Sequence, residues 1–196
     1  MTKQTQLSKD HRARRVHVVG KKNSGKTTLV CELVTLLTQQ GFSVATIKHT
    51  HHNHELDTTG KDSWQHRQAG ATAVGILASE MTAVFFPMNR SQNEFKRYAH
   101  LESVLCGCDL ILVEGDLHCD APKLEVWRHA VSSAPYAVNT PGISFVVTDD
   151  QCQQFVDKLN SGDQPQDNTT PISFPPRLNR SHLSQIADAV IQLAGL

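Results

Sequence analysis

The sequence predicts an α/β fold, a mostly parallel central sheet with helices on both faces. Three observations carry this expectation. Strand-like and helix-like segments alternate along the chain, several strands are unbroken apolar runs, and a glycine-rich turn joins the first strand to the first helix. Residues 14–20 (RRVHVVG) read as the first strand. Residues 26–40 carry Leu29, Val30, Leu33, Leu36 and Leu37 at helical spacing, and Gly41 stops the helix. A second strand covers 43–48, and the polar, turn-rich stretch 49–60 is a loop. A short helix over 62–69 is closed by Gly70. Two short strands (73–78 and 83–86), a helix (91–105) and a third buried strand (109–113) follow. Strands at 124–127 and 143–147, a helix at 150–159 and a last helix at 181–193 complete the series. The last helix places Leu183, Ile186, Ala187, Val190 and Ile191 on one face. Residues 1–13 are expected to form a disordered leader, and 14–196 a single domain with a polar linker near 160–170.

Composition narrows the function. A chain of 196 residues buries roughly 70% of its unfolded surface and needs no staples to fold. Lysine plus arginine equals aspartate plus glutamate, 19 against 19, which argues against a general nucleic-acid coat or a polybasic membrane binder. No apolar run approaches the ~20 residues of a membrane span, and the polar, basic stretch 1–15 lacks the apolar core of a secretory signal. Five cysteines (Cys31, Cys106, Cys108, Cys119, Cys152) form no CxxC pair; they read as reduced thiols of a cytoplasmic protein, with oxidative stapling the weaker alternative.

The strongest local signal is Gly20-Lys21-Lys22-Asn23-Ser24-Gly25-Lys26-Thr27, a G-x-x-x-x-G-K-[ST] loop between a strand and a helix, which makes the fold P-loop NTPase-like. Gly20 and Gly25 let the backbone turn so that N–H groups approach phosphate oxygens. The helix opening at Lys26 directs its unpaired N–H groups and its positive end at the same anion. Lys26 supplies a cation for the β- and γ-phosphates, Thr27 a hydroxyl for Mg²⁺, and Thr28 a donor for the α-phosphate. Lys21 and Lys22 either reach phosphate or are solvated. The partner of such a loop is an acid at the end of a buried strand, and Glu114 follows the apolar run Leu110–Val113. It would hold Mg²⁺ directly or through water at the carboxyl edge of the sheet. Asp109, at the other end, reads as structural.

Other constellations stay open. His49, His51, His52 and His54 admit a metal site, a phosphate contact or a solvated loop. Asp62, and less so Asp57, is either a metal or water-positioning acid or a charge complementing a helix N-terminus. Arg67 clamps an anion or pairs with an acid. For a guanine base the acid candidates are Asp149 and Asp150 after the strand 143–147, with helix capping as their alternative.

Taken in order, VHVVGKKNSGKTTLV, VATIKHTHH, GKDSWQHRQAGA, DLILVEG and KLEVWR resemble the MobB family, the molybdopterin-guanine dinucleotide biosynthesis adaptors, over residues 16–128. The resemblance implies a homodimer that binds GTP and Mg²⁺ and hydrolyses GTP feebly. It also implies support for the molybdenum cofactor guanylyltransferase that joins GMP to molybdopterin. By residue match it makes Asn23, Ser24, Gly25, Lys26, Thr27 and Thr28 phosphate contacts, and marks Lys48, His49, Thr50, Asp62, Ser63 and Arg67 as motif positions of unassigned role. Lys48, His49, Thr50 and Arg67 are the candidates for a further anion or partner site. The chain departs from the family where FKHEPIPKIEVYR usually follows VEG: here Asp116-Leu117 replaces the aromatic–lysine pair, and the segment runs on through Cys119 and Asp120 to Pro122. Two rivals share the loop, a small-molecule kinase with an acceptor near 49–62 and a nucleotide-gated interaction protein.

Overall fold

The structure, a computed structural model, describes residues 14–50, 55–86, 94–153, 157 and 174–196, with only the backbone of 94–97. The leader expected over 1–13, the linker near 160–170, His51, His52, His54 and half of the helix expected at 150–159 lie outside the described residues. Within 14–196, expected as one domain, the Cα positions form two compact units: Thr50–Leu101, and the described residues of Met1–His49 with Glu102–Leu196.

The larger unit is built on six strands: β1 (Arg15–Val19), β2 (Val44–Lys48), β5 (Leu110–Glu114), β6 (Lys123–Val126), β7 (Ile143–Val147) and β8 (Arg177–Leu178). Their order in the sheet is β2-β5-β1-β6-β7-β8, and every pairing is parallel. β1 therefore lies centrally, with Val16 opposite Leu112 on one side and Val18 opposite Leu124 on the other. Such a strand is buried on both faces: His17 is as fully buried as Val16 and Val18, so the polar–apolar alternation of RVHV marks no solvent face.

Helices α1 (Lys26–Gln39) and α4 (Leu183–Ala194) share one face of the sheet. Leu29, Leu33 and Leu37 of α1, one turn apart, meet Val16, Val18, Leu112 and Leu124 of the strands and Ile186 and Val190 of α4 in one core. α1 ends by a Schellman turn. Gly41 takes φ 94°, its N–H bonds the Thr38 carbonyl, and the Phe42 N–H returns to Leu37 O at 3.0 Å.

The opposite face carries His17, Ile111, Val113 and Glu125, all buried. It is covered by the segment 115–122 and by a 3₁₀ turn at Tyr136–Val138, whose amides bond the Glu125 carboxylate. Arg15 pairs with Glu102 of α3 (Glu94–Val104).

The smaller unit holds α2 (Asp62–Gln68) and an antiparallel pair, β3 (Val74–Leu77) with β4 (Thr82–Phe85). Leu77 and Met81 at its turn are exposed. Among the described residues no helix is long and apolar enough to cross a membrane.

Candidate phosphate-binding site

The loop between β1 and α1 takes a shape that depends on its glycines. Gly20 has φ 143°, and a Cβ there would stand 2.3 Å from the Val126 carbonyl oxygen and 2.8 Å from Ser24 Oγ. Asn23 (φ 65°) and Gly25 (φ 100°) are both left-handed, and Gly25 is the N-cap of α1. Left-handed residues so close together turn successive N–H groups to one side, a concavity suited to an anion. α1 has no side-chain cap bond and no acid in its first turn, so its first amides and positive end face outward uncompensated.

The side chains converge on this concavity. Lys26 reaches back over the loop and donates Nζ–H to the Lys21 carbonyl at 2.7 Å. Burial holds its ammonium below the usual lysine range, the Lys48 charge adds to that, and Glu114 opposes it. Thr27 Oγ1 donates to Glu114 Oε1 at 2.8 Å, so the loop hydroxyl and the acid at the end of β5 are brought together. Lys48 ends β2 in register with Glu114, and the His49 N–H bonds the Glu114 carbonyl at 2.9 Å. Ser24 is buried and Thr28 exposed. Of the two loop lysines, Lys21 lies over the Tyr136 ring at 4.3 Å and Lys22 is exposed.

A cavity of about 380 Å³ adjoins the loop, lined by Gly25, Thr28, Trp127, Arg128, Asp149 and Asp150 among others. It sits beyond the carboxyl ends of β6 and β7, where open α/β sheets bind ligands. Asp150 Oδ2 accepts the His129 amide at 2.7 Å, and Asp149 Oδ1 accepts from the Ser181 hydroxyl at 3.2 Å. Both carboxylates are thus anchored at the cavity wall. At its rim Arg180 pairs with Glu32 at 2.7 Å.

The remaining candidates, Thr50, Asp57, Asp62 and Arg67, belong to the smaller unit. Asp62 opens α2. Arg67 binds Glu55 at 2.6 Å and approaches Asp57 at 3.8 Å, while Asp57, nearly buried, accepts from the Thr58 amide and the Ser63 hydroxyl. Here the acid-pairing alternative for Arg67 is the one seen. Asp109, at the amino end of β5, accepts the Ser43 amide at 2.8 Å, a structural role as expected.

Sequence reading missed Glu125. It is buried and accepts the amides of Tyr136 and Ala137 at 2.6 and 2.9 Å. Burial raises its pKa above the carboxylate norm, against those two bonds and the Lys21 charge. By seating Tyr136 under Lys21 it shapes the rim of the loop.

A family model described as "Molybdopterin guanine dinucleotide synthesis protein B", MobB, matches residues 15–149. A molybdopterin-guanine dinucleotide biosynthesis adapter protein of Escherichia coli is 34% identical over 113 residues, covering 57% of this chain and 64% of that one. Its counterpart in Haemophilus influenzae is 32% identical over 115 residues, with 59% and 64% covered. The chain thus spans just under two thirds of these relatives' length. A crystal structure of molybdopterin-guanine biosynthesis protein B superposes with a TM-score of 0.62 at 20% identity, covering 93% of this chain and 99% of that one. Bacillus subtilis MobB gives 0.59 at 21%, covering 91% and 96%.

Proposed function

Since the chain belongs to the MobB family, we propose that it binds GTP with Mg²⁺ at the loop 20–27 and acts as an adaptor in molybdopterin guanine dinucleotide synthesis. The observation that carries the nucleotide half of this reading is the Thr27–Glu114 contact of 2.8 Å beside the Lys26 ammonium. Two hard oxygens next to a phosphate cradle suit Mg²⁺, which keeps several waters and takes few protein ligands. Bound there, Mg²⁺ would supply charge neutralisation to the phosphates.

The chain's own residues do the rest. The amides of 23–27 hold phosphate oxygens, with Ser24 and Thr28 beside them. Lys26, tethered to the Lys21 carbonyl, sets a positive charge at a fixed place. Gly20 keeps the loop against β6, and Lys22 adds a solvated cation. The guanine lies in the adjoining cavity, where Asp149 or Asp150 accepts from the base N1 and N2 donors. Lys48 and His49, at the end of β2, serve a second anion or partner contact.

Turnover by the isolated chain is slow in this reading, well under the ~10 s⁻¹ typical of enzymes. A fast GTPase needs a cation to neutralise transfer charge, and Arg67, the arginine of GKDSWQHRQAGA, is already bound to Glu55 and Asp57. The adaptor works as a cytoplasmic homodimer with the molybdenum cofactor guanylyltransferase and its molybdopterin substrate. Titration with a labelled GTP analogue tests this. Lys26→Ala should lose most affinity while remaining folded, and GTP should compete better than ATP. Unchanged affinity in the folded variant overturns the site, and equal competition by ATP overturns the guanine assignment.

A further inference from the structure

The connection from β5 to β6 carries donor atoms that the nucleotide reading leaves unused. β5 and β6 lie on either side of β1, both parallel to it, so the chain must cross over β1. Parallel crossovers ordinarily take about a dozen residues or more, mostly as a helix. This one, residues 115–122, has eight and forms no helix. Instead of a helix with an apolar face, a polar cluster lies over β1. His17 (0% exposed), Asp116 (7%) and Cys119 (8%) are all buried, and one ligand atom from each lies within 4.8 Å of the other two.

The chemistry of the three is complementary. His17 Nδ1 lies 3.0 Å from the Gly115 carbonyl, a backbone bond of the kind that orients the ring at metal-bound histidines. Burial, with help from Arg15 and Lys123, pushes the His17 pKa down to about 4 against the Gly115 bond and Asp116, so the ring is in its neutral, ligating form near pH 7. Burial raises the Cys119 thiol, and coordination would release its proton. Lys123 Nζ is held by the Cys119 and Ala121 carbonyls and so braces the loop. A cavity of about 530 Å³ bordered by Leu117, Cys119, Pro122 and Lys123 leaves room for a fourth ligand.

We propose that His17, Asp116 and Cys119 bind a zinc-type divalent ion, whose fourth position opens to this cavity. An imidazole, carboxylate and thiolate set favours zinc over the oxygen-bound Mg²⁺ of the nucleotide site. Donors at zinc distances stand about 3.3–3.8 Å apart, so the cluster closes by about 1 Å on binding. The ion pins the crossover onto β1, and the inference does not rest on the nucleotide reading.

The test is titration of the full, chelator-stripped, reduced chain with Co²⁺ alone, followed by Zn²⁺ competition. One ion per chain with a near-ultraviolet thiolate-to-cobalt band is expected, together with a rise in melting temperature. Cys119→Ser should abolish the band and weaken Zn²⁺ by more than the roughly 10–100-fold cost of losing an outer-shell partner. Asp116→Asn should weaken Zn²⁺ while keeping the band, and it stands as the test if Cys119→Ser fails to fold. The combined Cys106→Ser and Cys108→Ser variant, and alanines at His51, His52 and His54, should change neither. Absence of the band, its survival in Cys119→Ser, its loss in the Cys106/Cys108 variant, or unaltered Zn²⁺ affinity in Asp116→Asn overturns the proposal.

Discussion

Replacing Gly20 with alanine adds one methyl group at a place where the structure has no room for it. The new Cβ would lie 2.3 Å from Val126 O, where ordinary contact is about 3.4 Å, so backbone must move by about 1 Å. Ser24 Oγ, at 2.8 Å, can rotate away; the Val126 carbonyl cannot, because β6 is locked between β1 and β7. Overpacking costs about 1–3 kcal/mol, and a strained positive φ about 1–3 kcal/mol, which together give about 2–6 kcal/mol. Gly25→Ala is the control. It shares the positive φ (100°) but its Cβ would meet nothing within 4 Å, so only about 1–2 kcal/mol is at stake. Urea unfolding followed by circular dichroism separates the two, provided the slopes agree. If Gly20→Ala loses no more stability than Gly25→Ala, the close approach of the loop to β6 is not what makes glycine necessary.

Three further outcomes are expected. Thr27→Ala and Glu114→Gln should each flatten the Mg²⁺ dependence of GTP-analogue binding, and a Glu114→Gln variant with the wild-type Mg²⁺ curve would overturn Glu114 as the metal acid. Asp57→Ala removes the acceptor of the Thr58 amide and Ser63 hydroxyl, costing the smaller unit about 1–3 kcal/mol; faster hydrogen exchange in α2 is the readout, and unchanged protection refutes it. Glu125, with its pKa raised by burial, binds its proton more tightly folded than unfolded. Its contribution to stability therefore grows as pH falls from above its raised value towards the ordinary 4.5 and is flat beyond that window. Denaturation of wild type and Glu125→Gln across that range should show the wild type gaining relative to the variant at the acid end, and a constant difference would refute the assignment.

What could be read from the sequence was what is local and periodic. Leu29, Leu33 and Leu37 announce α1, and the strand–loop–helix context of Lys26 announces the tight turn between β1 and α1, because both signals lie within one or two turns of chain. β8 escaped because two residues, Arg177 and Leu178, offer no period. The pairing of β3 with β4 in a sheet of their own was not visible either, since 73–78 and 83–86 read only as separate strands. Glu125 looks like an alternating surface acid, and the amides it serves lie eleven residues on with no side-chain marker. The His17, Asp116 and Cys119 group is invisible to any spacing rule, because topology rather than sequence separation brings about a hundred residues of chain back to one spot. Asp149 and Asp150 were legible as acids at the right strand end, but not their bonds to Ser181 and His129.

The central place of β1 also sets a timetable for synthesis. Its neighbours are β5 and β6, so Arg15 waits for Ile111 and His17 for Lys123. At about 5–20 residues per second a ribosome needs about 5–20 s to deliver them. During that interval the nascent first strand has no sheet to join, and Gly20 has no Val126 carbonyl to fold against. A chain arrested before residue 110 should therefore lack the phosphate loop's native shape, although every residue of the loop has already been translated. Non-local closure of this kind slows folding.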